Sequence, residues 1–411
     1  MRTLLLAVLV SLPLAAQQPV YDLLLRGGHV IDPKNERDAV MDVAVKDGKI
    51  ARVAADIAAG QAKTVVDAAG LYVTPGLVDI HVHVAPREIA ETENSVPADA
   101  FTFRAGVTTV VDAGTSGWKT FERFRREVIE TAETRVLAML NIAASGMGSR
   151  AGEDDPDDLD AEAAARIARE NPDVIVGFKS AHYAGPGWYS IDRAVEAGKA
   201  TELPVMVDFG TVTEQRTLDV LLRDKLRPGD IYTHCYSGHR DELLHGKVNP
   251  AMDAGRKRGV IFDLGFGAGS FFWYVAVPFF QEGFYPDSIS TDIHRHSMNG
   301  GMRDMAHTMA KILNLGLSMQ EVVRLSTVNP AREIHRPELG NLDVGAEADV
   351  AVLRLTKGSY GLLDSAGARY PGDRMLSCEL TLRAGKVVWD LNGMASKDWQ
   401  EFPYKRRDNS R

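Results

Sequence analysis

The sequence predicts an α/β protein whose main domain is a (β/α)8 TIM barrel, and three observations carry this prediction. From Pro75 onward, short apolar runs alternate with amphipathic segments, which is the pattern of a parallel sheet with helical crossovers. Eight such runs occupy roughly 260 residues, the length expected of a (β/α)8 barrel. Polar side chains end several of these runs, and TIM barrels carry their active sites at that end of their strands.

The chain before Pro75 is predicted to form a small all-β unit. Residues 21–32 predict a strand, a Gly-Gly turn and a second strand, whereas residues 41–53 predict a hairpin around an Asp-Gly turn. A further short strand is expected at 64–67. His29 lies at the first of these turns, so we interpret it as a structural residue.

The barrel strands are expected at the eight apolar runs, which are 76–84, 106–114, 135–145, 174–182, 204–210, 230–238, 259–267 and 287–294. An acidic run at 153–158 follows the third of them and is predicted to be a solvated loop that leads into a helix at 160–170. After the eighth run, a turn and an apolar strand are expected within 339–353. A last hairpin is expected from 378–383 and 386–390.

The composition is that of a globular protein and argues against some classes of partner. A length of 411 residues suffices for one large domain with an accessory domain. The net charge is −9 and no cluster of Lys and Arg stands out, so no nucleic-acid partner is expected. The two cysteines, Cys235 and Cys378, are far apart in sequence, which predicts neither a disulfide framework nor a cysteine-based metal site.

The first 17 residues have the features of a secretory signal peptide. Arg2 precedes an apolar run from Leu4 to Ala16, and Gln17 follows it. The run is short for a bilayer span, although an N-terminal membrane anchor is the alternative interpretation. We therefore expect a secreted or periplasmic protein without a stable membrane anchor after processing.

The first barrel strand ends in two histidines, His81 and His83. Side chains two residues apart on a strand point to the same face, so both imidazoles can offer a neutral nitrogen to one cation. The alternative is a pair of hydrogen-bonded polar residues at a strand end. The spacing favours a metal site, because further candidate ligands end later strands.

The stretch PGLVDIHVH at 75–83 resembles the first barrel strand of the amidohydrolase superfamily, which includes dihydroorotase, dihydropyrimidinase and the amidohydrolase/deacetylase proteins. The resemblance extends from about Tyr21 to about Asn392. It implies a small β-sandwich built from both chain ends around the barrel. The implied divisions are a signal peptide at 1–17, sandwich segments at 18–74 and 336–396, the barrel at 75–335 and a tail at 397–411.

The resemblance also implies a binuclear metal centre. Two divalent ions, expected to be zinc, would be bound by His81, His83, Lys179, His234 and Asp292. In the subgroup that the chain resembles, the lysine matching Lys179 is carboxylated by CO2 and bridges both ions; a salt-bridged lysine is the alternative. Burial favours carboxylation, because it lowers the lysine pKa from about 10.4 and supplies a neutral amine. Asp292 is implied to bind the first ion and to act as general base for metal-bound hydroxide.

The fifth strand departs from the family pattern, because Asp208 occupies the position where the family usually has a histidine ligand of the second ion. Three interpretations stay open: Asp208 binds the second ion, it faces away and leaves the site to His182 or to nothing, or the second site is weak. Direct binding is preferred, since carboxylates bind zinc at about the same distance as imidazole. A carboxylate also removes one unit of positive charge, which makes the bridging water less acidic and favours harder ions such as manganese.

These features predict an exported metal-dependent hydrolase of amides or cyclic amides, similar to deacetylases and dihydroorotases. His182 and His294 lie near strand ends and are candidates for substrate binding. Two alternatives stay open, namely ester or lactone hydrolysis at the same site and a non-catalytic protein with a weakened metal site. The expected partner is a small-molecule substrate, and the sequence leaves open whether the chain forms a homo-oligomer.

Overall fold

The computed structural model describes residues 19–85, 95–147, 153–185, 187–208, 210 and 212–404. The predicted signal peptide at 1–17 lies outside this part of the chain. Among the described residues, no helix combines the length and the apolar character that crossing a membrane requires.

The described residues form strands in three sheets. The strands are β1 (Tyr21–Asp32), β2 (Arg37–Lys46), β3 (Lys49–Ala54), β4 (Ala62–Asp67), β5 (Tyr72–Pro75), β6 (Leu77–Val82), β7 (Val107–Gly117), β8 (Arg135–Asn141), β9 (Ile175–Ser180), β10 (Val205–Val207), β11 (Ile231–Tyr232), β12 (Leu243–Leu244), β13 (Lys247–Val248), β14 (Ile261–Phe262), β15 (Val350–Leu363), β16 (Arg369–Arg383) and β17 (Lys386–Asp390). Strands β12 and β13 form a separate two-stranded sheet.

The α-helical segments lie mainly between the strands of the parallel sheet and after it. They are α1 (Ala98–Phe101), α2 (Phe121–Phe124), α3 (Ala161–Glu170), α4 (Tyr189–Thr201), α5 (Leu218–Val220), α6 (Pro250–Lys257), α7 (Trp273–Gln281), α8 (Met305–Asn314), α9 (Met319–Leu325) and α10 (Val328–Glu333). Helix α3 confirms the helix predicted at 160–170. It begins after Asp160, whose side chain accepts hydrogen bonds from the first-turn amides of Glu162 and Ala163 and so caps the helix.

Seven strands form a parallel sheet in the order β14-β11-β10-β9-β8-β7-β6. Every neighbouring pair in it is parallel, and the sheet curls as in a TIM-barrel-like fold. This confirms the predicted α/β class with a parallel sheet. Strands β6 to β9 are buried along almost their whole length, as expected for strands covered on both faces.

The eighth predicted strand, at 287–294, does not form a regular strand. Parallel bridges nevertheless join Asp263 to Ser288 and Val82 to Ile293, so the segment connects the two outer strands β14 and β6. The backbone amide of His83 also donates to the carbonyl of Ile293 at 3.1 Å. Asp292 lies in the left-handed backbone region with φ of 47°, which interrupts a regular strand at this position.

Both chain ends contribute to one eight-stranded mixed sheet. Its order is β17-β16-β15-β5-β1-β2-β3, and β4 pairs with β1. Strands β2 and β3 confirm the hairpin with the Asp-Gly turn, and β16 and β17 confirm the last hairpin. The two facing sheets of a β-sandwich are not confirmed by the strands that the structure describes.

The turn predicted within residues 21–32 is wrong, because β1 runs through the Gly-Gly pair as one strand. The register against β2 shifts between Leu25 and Gly28, and Gly27 has φ of 69°. The amide of Gly27 donates to a carboxylate oxygen of Asp42 at 2.7 Å. A β-bulge therefore accommodates the glycines where a turn was expected. His29 lies on this strand, and its Nε2 is 2.6 Å from Asp38 Oδ1.

Candidate metal centre

All eight site residues predicted from the sequence line one cavity of about 400 Å³. His81 belongs to β6, and Lys179 belongs to β9. Asp208 directly follows β10, and His234 follows β11 by two residues. Because parallel strands end at the same edge of the sheet, residues distant in sequence meet at this cavity. The others are His83, which follows β6, and His182, Asp292 and His294.

His81, His83 and Asp292 form a compact group of potential metal ligands. One donor atom from each residue lies within 4.8 Å of the other two, and no other group of three or more His, Cys, Asp or Glu side chains in the described ranges meets this criterion. Oδ1 of Asp292 is 3.1 Å from Nε2 of His83 and 3.7 Å from Nε2 of His81. All three residues are buried.

Protein contacts at Nδ1 leave the Nε2 atoms of the histidines available to the cavity. Thr233 donates its hydroxyl to Asp263 at 2.7 Å, so its oxygen accepts a hydrogen bond from Nδ1 of His81 at 2.9 Å. Nδ1 of His234 donates to the carbonyl of Gly265 at 2.6 Å. With Nδ1 as the donor, the neutral form of either ring keeps a lone pair on Nε2, which is the form that binds a metal ion. Burial and the nearby Lys179 lower the pKa of His81 to about 3, which keeps this ring neutral.

Lys179 is buried at the centre of the site. Its Nζ lies 3.1 Å from Nε2 of His81 and 3.5 Å from the sulfur of Met206. Burial lowers the pKa of the Lys179 ammonium, although Asp208 and Asp292 oppose the shift. The side chain packs against Gly114, where an added Cβ would stand 2.6 Å from Cβ of Lys179. Gly114 has φ of 84°, so both its backbone conformation and this close approach favour glycine.

Asp208 faces the site and is paired with an arginine that sequence analysis missed. Its Oδ1 accepts a hydrogen bond from the guanidinium of Arg240, and its Oδ2 lies 3.5 Å from Nε2 of His234. Although burial opposes ionisation, the charge of Arg240 and the contact with His234 hold the pKa of Asp208 well below its usual range. This placement does not support the interpretation in which Asp208 faces away from the site. No motif marks Arg240, because it lies in an irregular segment after β11.

His182 and His294 lie at different positions around the cavity. Nε2 of His182 is 3.3 Å from Oδ2 of Asp208, and its Nδ1 is 3.4 Å from Oε2 of Glu153. Burial alone would lower the pKa of His182, but the hydrogen bonds to Asp208 and Glu153 raise this pKa to about 10. Nε2 of His294 is 4.0 Å from Oδ2 of Asp292. Burial lowers the pKa of His294.

Glu153 is the second site residue that sequence analysis missed. It opens the acidic run that was predicted to be a solvated loop, yet its side chain is buried and lines the cavity. Within the described part of the chain, its Oε1 has no hydrogen-bond partner. The prediction of a solvated loop is therefore wrong for Glu153. In a run of acids the sequence does not distinguish the one that turns inward.

The donor set fits divalent cations. Imidazole nitrogens and carboxylate oxygens are ligands that zinc and similar ions accept, and several of them converge at this cavity. The backbone leaves room for them, since an added Cβ at Gly267 would stand 2.3 Å from Oδ2 of Asp292. The residues thus form a site in which His81, His83 and Asp292 can hold an ion.

Comparisons with known proteins identify relatives that are similar in sequence and in fold. A deacetylase of Enterococcus faecalis is 30% identical over 376 residues, which cover 89% of this chain and 99% of that protein. The crystal structure of an adenine deaminase matches with a TM-score of 0.82 and 30% identity, covering 90% of this chain and 100% of that one. The crystal structure of a dihydroorotase matches with a TM-score of 0.78 and 29% identity, covering 90% and 99%. No family model matches the chain.

Together with these relatives, the TIM-barrel-like sheet and the histidine–aspartate group at its strand ends place the chain among metal-dependent hydrolases that act on C–N bonds. Within this class, the identity to the deacetylase and the two structural matches assign the chain more narrowly. The chain belongs to the amidohydrolase superfamily, among its deacetylase-like and dihydroorotase-like members.

Proposed function

We propose that the enzyme hydrolyses an amide or cyclic amide bond of a small-molecule substrate, with Asp292 as the proton-transferring group. The observation that carries this proposal is the position of Asp292. One oxygen faces both His81 and His83, and the other points toward His294. The names of the deacetylase and dihydroorotase relatives support an amide or cyclic amide as the substrate.

Two divalent ions, proposed to be zinc, would be held by residues of this chain. His81, His83 and Asp292 would bind the first ion, and His234 and Asp208 would bind the second. Carboxylated Lys179 would be shared by both. When bound, such ions polarise a carbonyl group and lower the pKa of a coordinated water.

Asp292 is ready to accept a proton. Burial favours its neutral form, but His81 and His83 hold the pKa of the carboxyl group well below its usual range. At neutral pH it is therefore a carboxylate that can take a proton from the attacking water and deliver it to the leaving nitrogen. His294 and His182 lie on the cavity wall, where both are proposed to contact the substrate. The two ring nitrogens of His182 already face Asp208 and Glu153, so His294 is the proposed hydrogen-bond donor.

The proposed carboxylation of Lys179 requires a neutral amine beside free space. The amine nitrogen forms a bond to the carbon of CO2 and releases one proton, leaving a carbamate with a single negative charge. Burial supplies the neutral amine, since it lowers the pKa of Lys179. The absence of a side chain at Gly114 lets the lysine stem pass at close range.

The proposal is tested by a substrate screen with the zinc-loaded enzyme. N-acyl amino acids, cyclic ureides and lactones are incubated with the wild-type protein and with Asp292→Asn. We expect hydrolysis of at least one amide or cyclic amide, its loss on chelation, and recovery when zinc is returned. Asp292→Asn should retain the fold and lose turnover. Hydrolysis of lactones alone would replace the amide proposal with the ester alternative, and turnover that survives in Asp292→Asn would contradict the assigned role.

A further inference from the structure

Arg240 lies next to the proposed second ion site, and its guanidinium is part of that site's electrostatics. The residue is buried, and a terminal guanidinium nitrogen donates to Oδ1 of Asp208. The other oxygen of Asp208, Oδ2, lies 3.3 Å from Nε2 of His182 and 3.5 Å from Nε2 of His234. One oxygen of the carboxylate therefore binds the Arg240 guanidinium, and the other faces the cavity.

Glu242 holds the segment that carries Arg240. Its Oε2 accepts a hydrogen bond from the backbone amide of Arg240 at 2.9 Å. Its Oε1 accepts from the hydroxyl of Tyr232 at 3.1 Å and from Ser237 at 2.5 Å. Glu242 thus accepts hydrogen bonds from three neutral donors and holds the backbone from which Arg240 reaches Asp208.

The charge of Arg240 is permanent and is balanced mainly by one partner. Burial works against the cation, but Asp208, more strongly than Tyr232 or Glu242, raises the pKa of the Arg240 guanidinium. A buried charge is costly when its partner is removed, so Asp208 and Arg240 depend on each other. Arginine suits this role better than lysine, because its planar group keeps its charge when buried.

We propose that Arg240 is a positioning residue that compensates the charge of Asp208, so that the pair presents one oxygen to the second ion from an overall neutral group. This inference rests on the proposed binuclear centre. Asp208 occupies the position where the family usually has a neutral histidine, and the Asp208–Arg240 pair restores that neutrality. The lower acidity of the bridging water, predicted from the added carboxylate, is then not expected, because the negative charge of Asp208 is matched by Arg240.

The test measures ion affinity without substrate, in the full-length protein. Cobalt(II) is used as the probe, since its visible absorption reports each bound ion, and a chelator of known affinity competes for it. The variants are Asp208→Asn, Arg240→Met and the combination of both. Arg223→Met serves as the matched control, because Arg223 pairs with Asp219 on the exposed surface at 2.6 Å.

Asp208→Asn should weaken second-ion binding by about 100-fold or more, because it removes a ligand and leaves the Arg240 cation uncompensated. Adding Arg240→Met should recover about tenfold or more of that loss, since the cation that repels the ion is gone. Arg223→Met should bind both ions like the wild type. A double variant that binds the second ion as weakly as Asp208→Asn, or recovers less than about tenfold, overturns the inference.

Binding of the first ion, at His81, His83 and Asp292, is the internal check that each variant folds. If Arg240→Met loses the first ion too, Arg240→Gln replaces it, because glutamine is polar and uncharged. A merely structural role of Arg240 predicts further loss in the double variant, the opposite of the expected recovery. Since no substrate is present, failure of the amide-hydrolysis proposal would show only in turnover and would leave these affinities unchanged.

Discussion

Thr233→Val is a sharp perturbation of the proposed first ion site, because the hydroxyl of Thr233 links His81 to Asp263. Valine keeps the shape of the side chain and removes contacts of 2.9 Å to Nδ1 of His81 and 2.7 Å to Oδ2 of Asp263. Oδ2 of Asp263 keeps the hydroxyl of Ser290 at 2.7 Å, so the loss falls mainly on His81. The valine methyl also prevents Nδ1 of His81 from closing its 3.8 Å gap to Asp263.

A buried donor left without a partner costs about 1–3 kcal/mol, so the free energy of unfolding of the metal-free protein should fall by that amount. The imidazole also loses the contact that fixes its orientation, so affinity for the first ion should fall by about 10–100-fold. Urea denaturation measures the first quantity, and competition with a chelator measures the second.

Thr381→Val is the matched control for this prediction. Thr381 is equally buried but lies on β16 of the mixed sheet. Its hydroxyl donates to the carbonyl of Phe103 at 2.7 Å. The control should lose stability by a similar amount and keep its ion affinity. If Thr233→Val binds the first ion within about threefold of the wild type, the argument that the contact at Nδ1 orients His81 is refuted.

Three further predictions concern carboxylation, acid stability and export. Lys179→Ala should lose the second ion and turnover, whereas native mass spectrometry of the wild type should show one added carboxyl group; wild-type turnover in the variant would exclude the carbamate. Burial and Lys311 lower the pKa of His307 to about 3. Below about pH 6.5 this histidine is therefore protonated in the unfolded chain but stays neutral in the folded protein. The free energy of unfolding should fall by about 2 kcal/mol from pH 7 to pH 5. His307→Gln should show a shallower fall than the wild type in urea denaturation, and the exposed His245→Gln should not. We also propose export, so the mature N-terminus should lie near Gln17, and a full-length cytoplasmic protein would contradict this.

The positions of the candidate ligands at one cavity could be predicted because they depend on strand ends, and strand ends can be located in the sequence. An apolar run followed by a polar residue places that residue at the edge of a parallel sheet, as with Lys179 after five mostly apolar neighbours. The spacing of His81 and His83 required no tertiary information, since alternation along a strand puts both on one face. The carboxylation of Lys179 and the identity of the ions stay predictions.

Arg240 and Glu153 could not be predicted, because each reaches the site from a segment that connects strands and not from a strand end. Charged residues in loops are usually solvated, so an arginine after a strand carries no sign of burial. For Arg240, the only indication in the sequence was Asp208, which replaces the histidine that the family usually has at this position. A carboxylate in a position usually taken by a neutral ligand calls for a compensating cation, and a search for a nearby basic residue after the next strand would have considered Arg240.

The strands at the site are shorter than the apolar runs that predicted them, and the backbone shows why. The runs at 230–238 and 259–267 contain strands of only two residues each, β11 and β14. His182, His234 and Asp292 all have φ between 47° and 62°, in the left-handed region that ends a strand. Such a conformation costs about 1–3 kcal/mol for each non-glycine residue and persists only where its surroundings enforce it. Asp292 shows one such constraint, because its backbone amide donates to the carbonyl of His81 at 2.7 Å. Strand β6, which carries His81, therefore holds the bend that turns the Asp292 carboxylate toward His81 and His83.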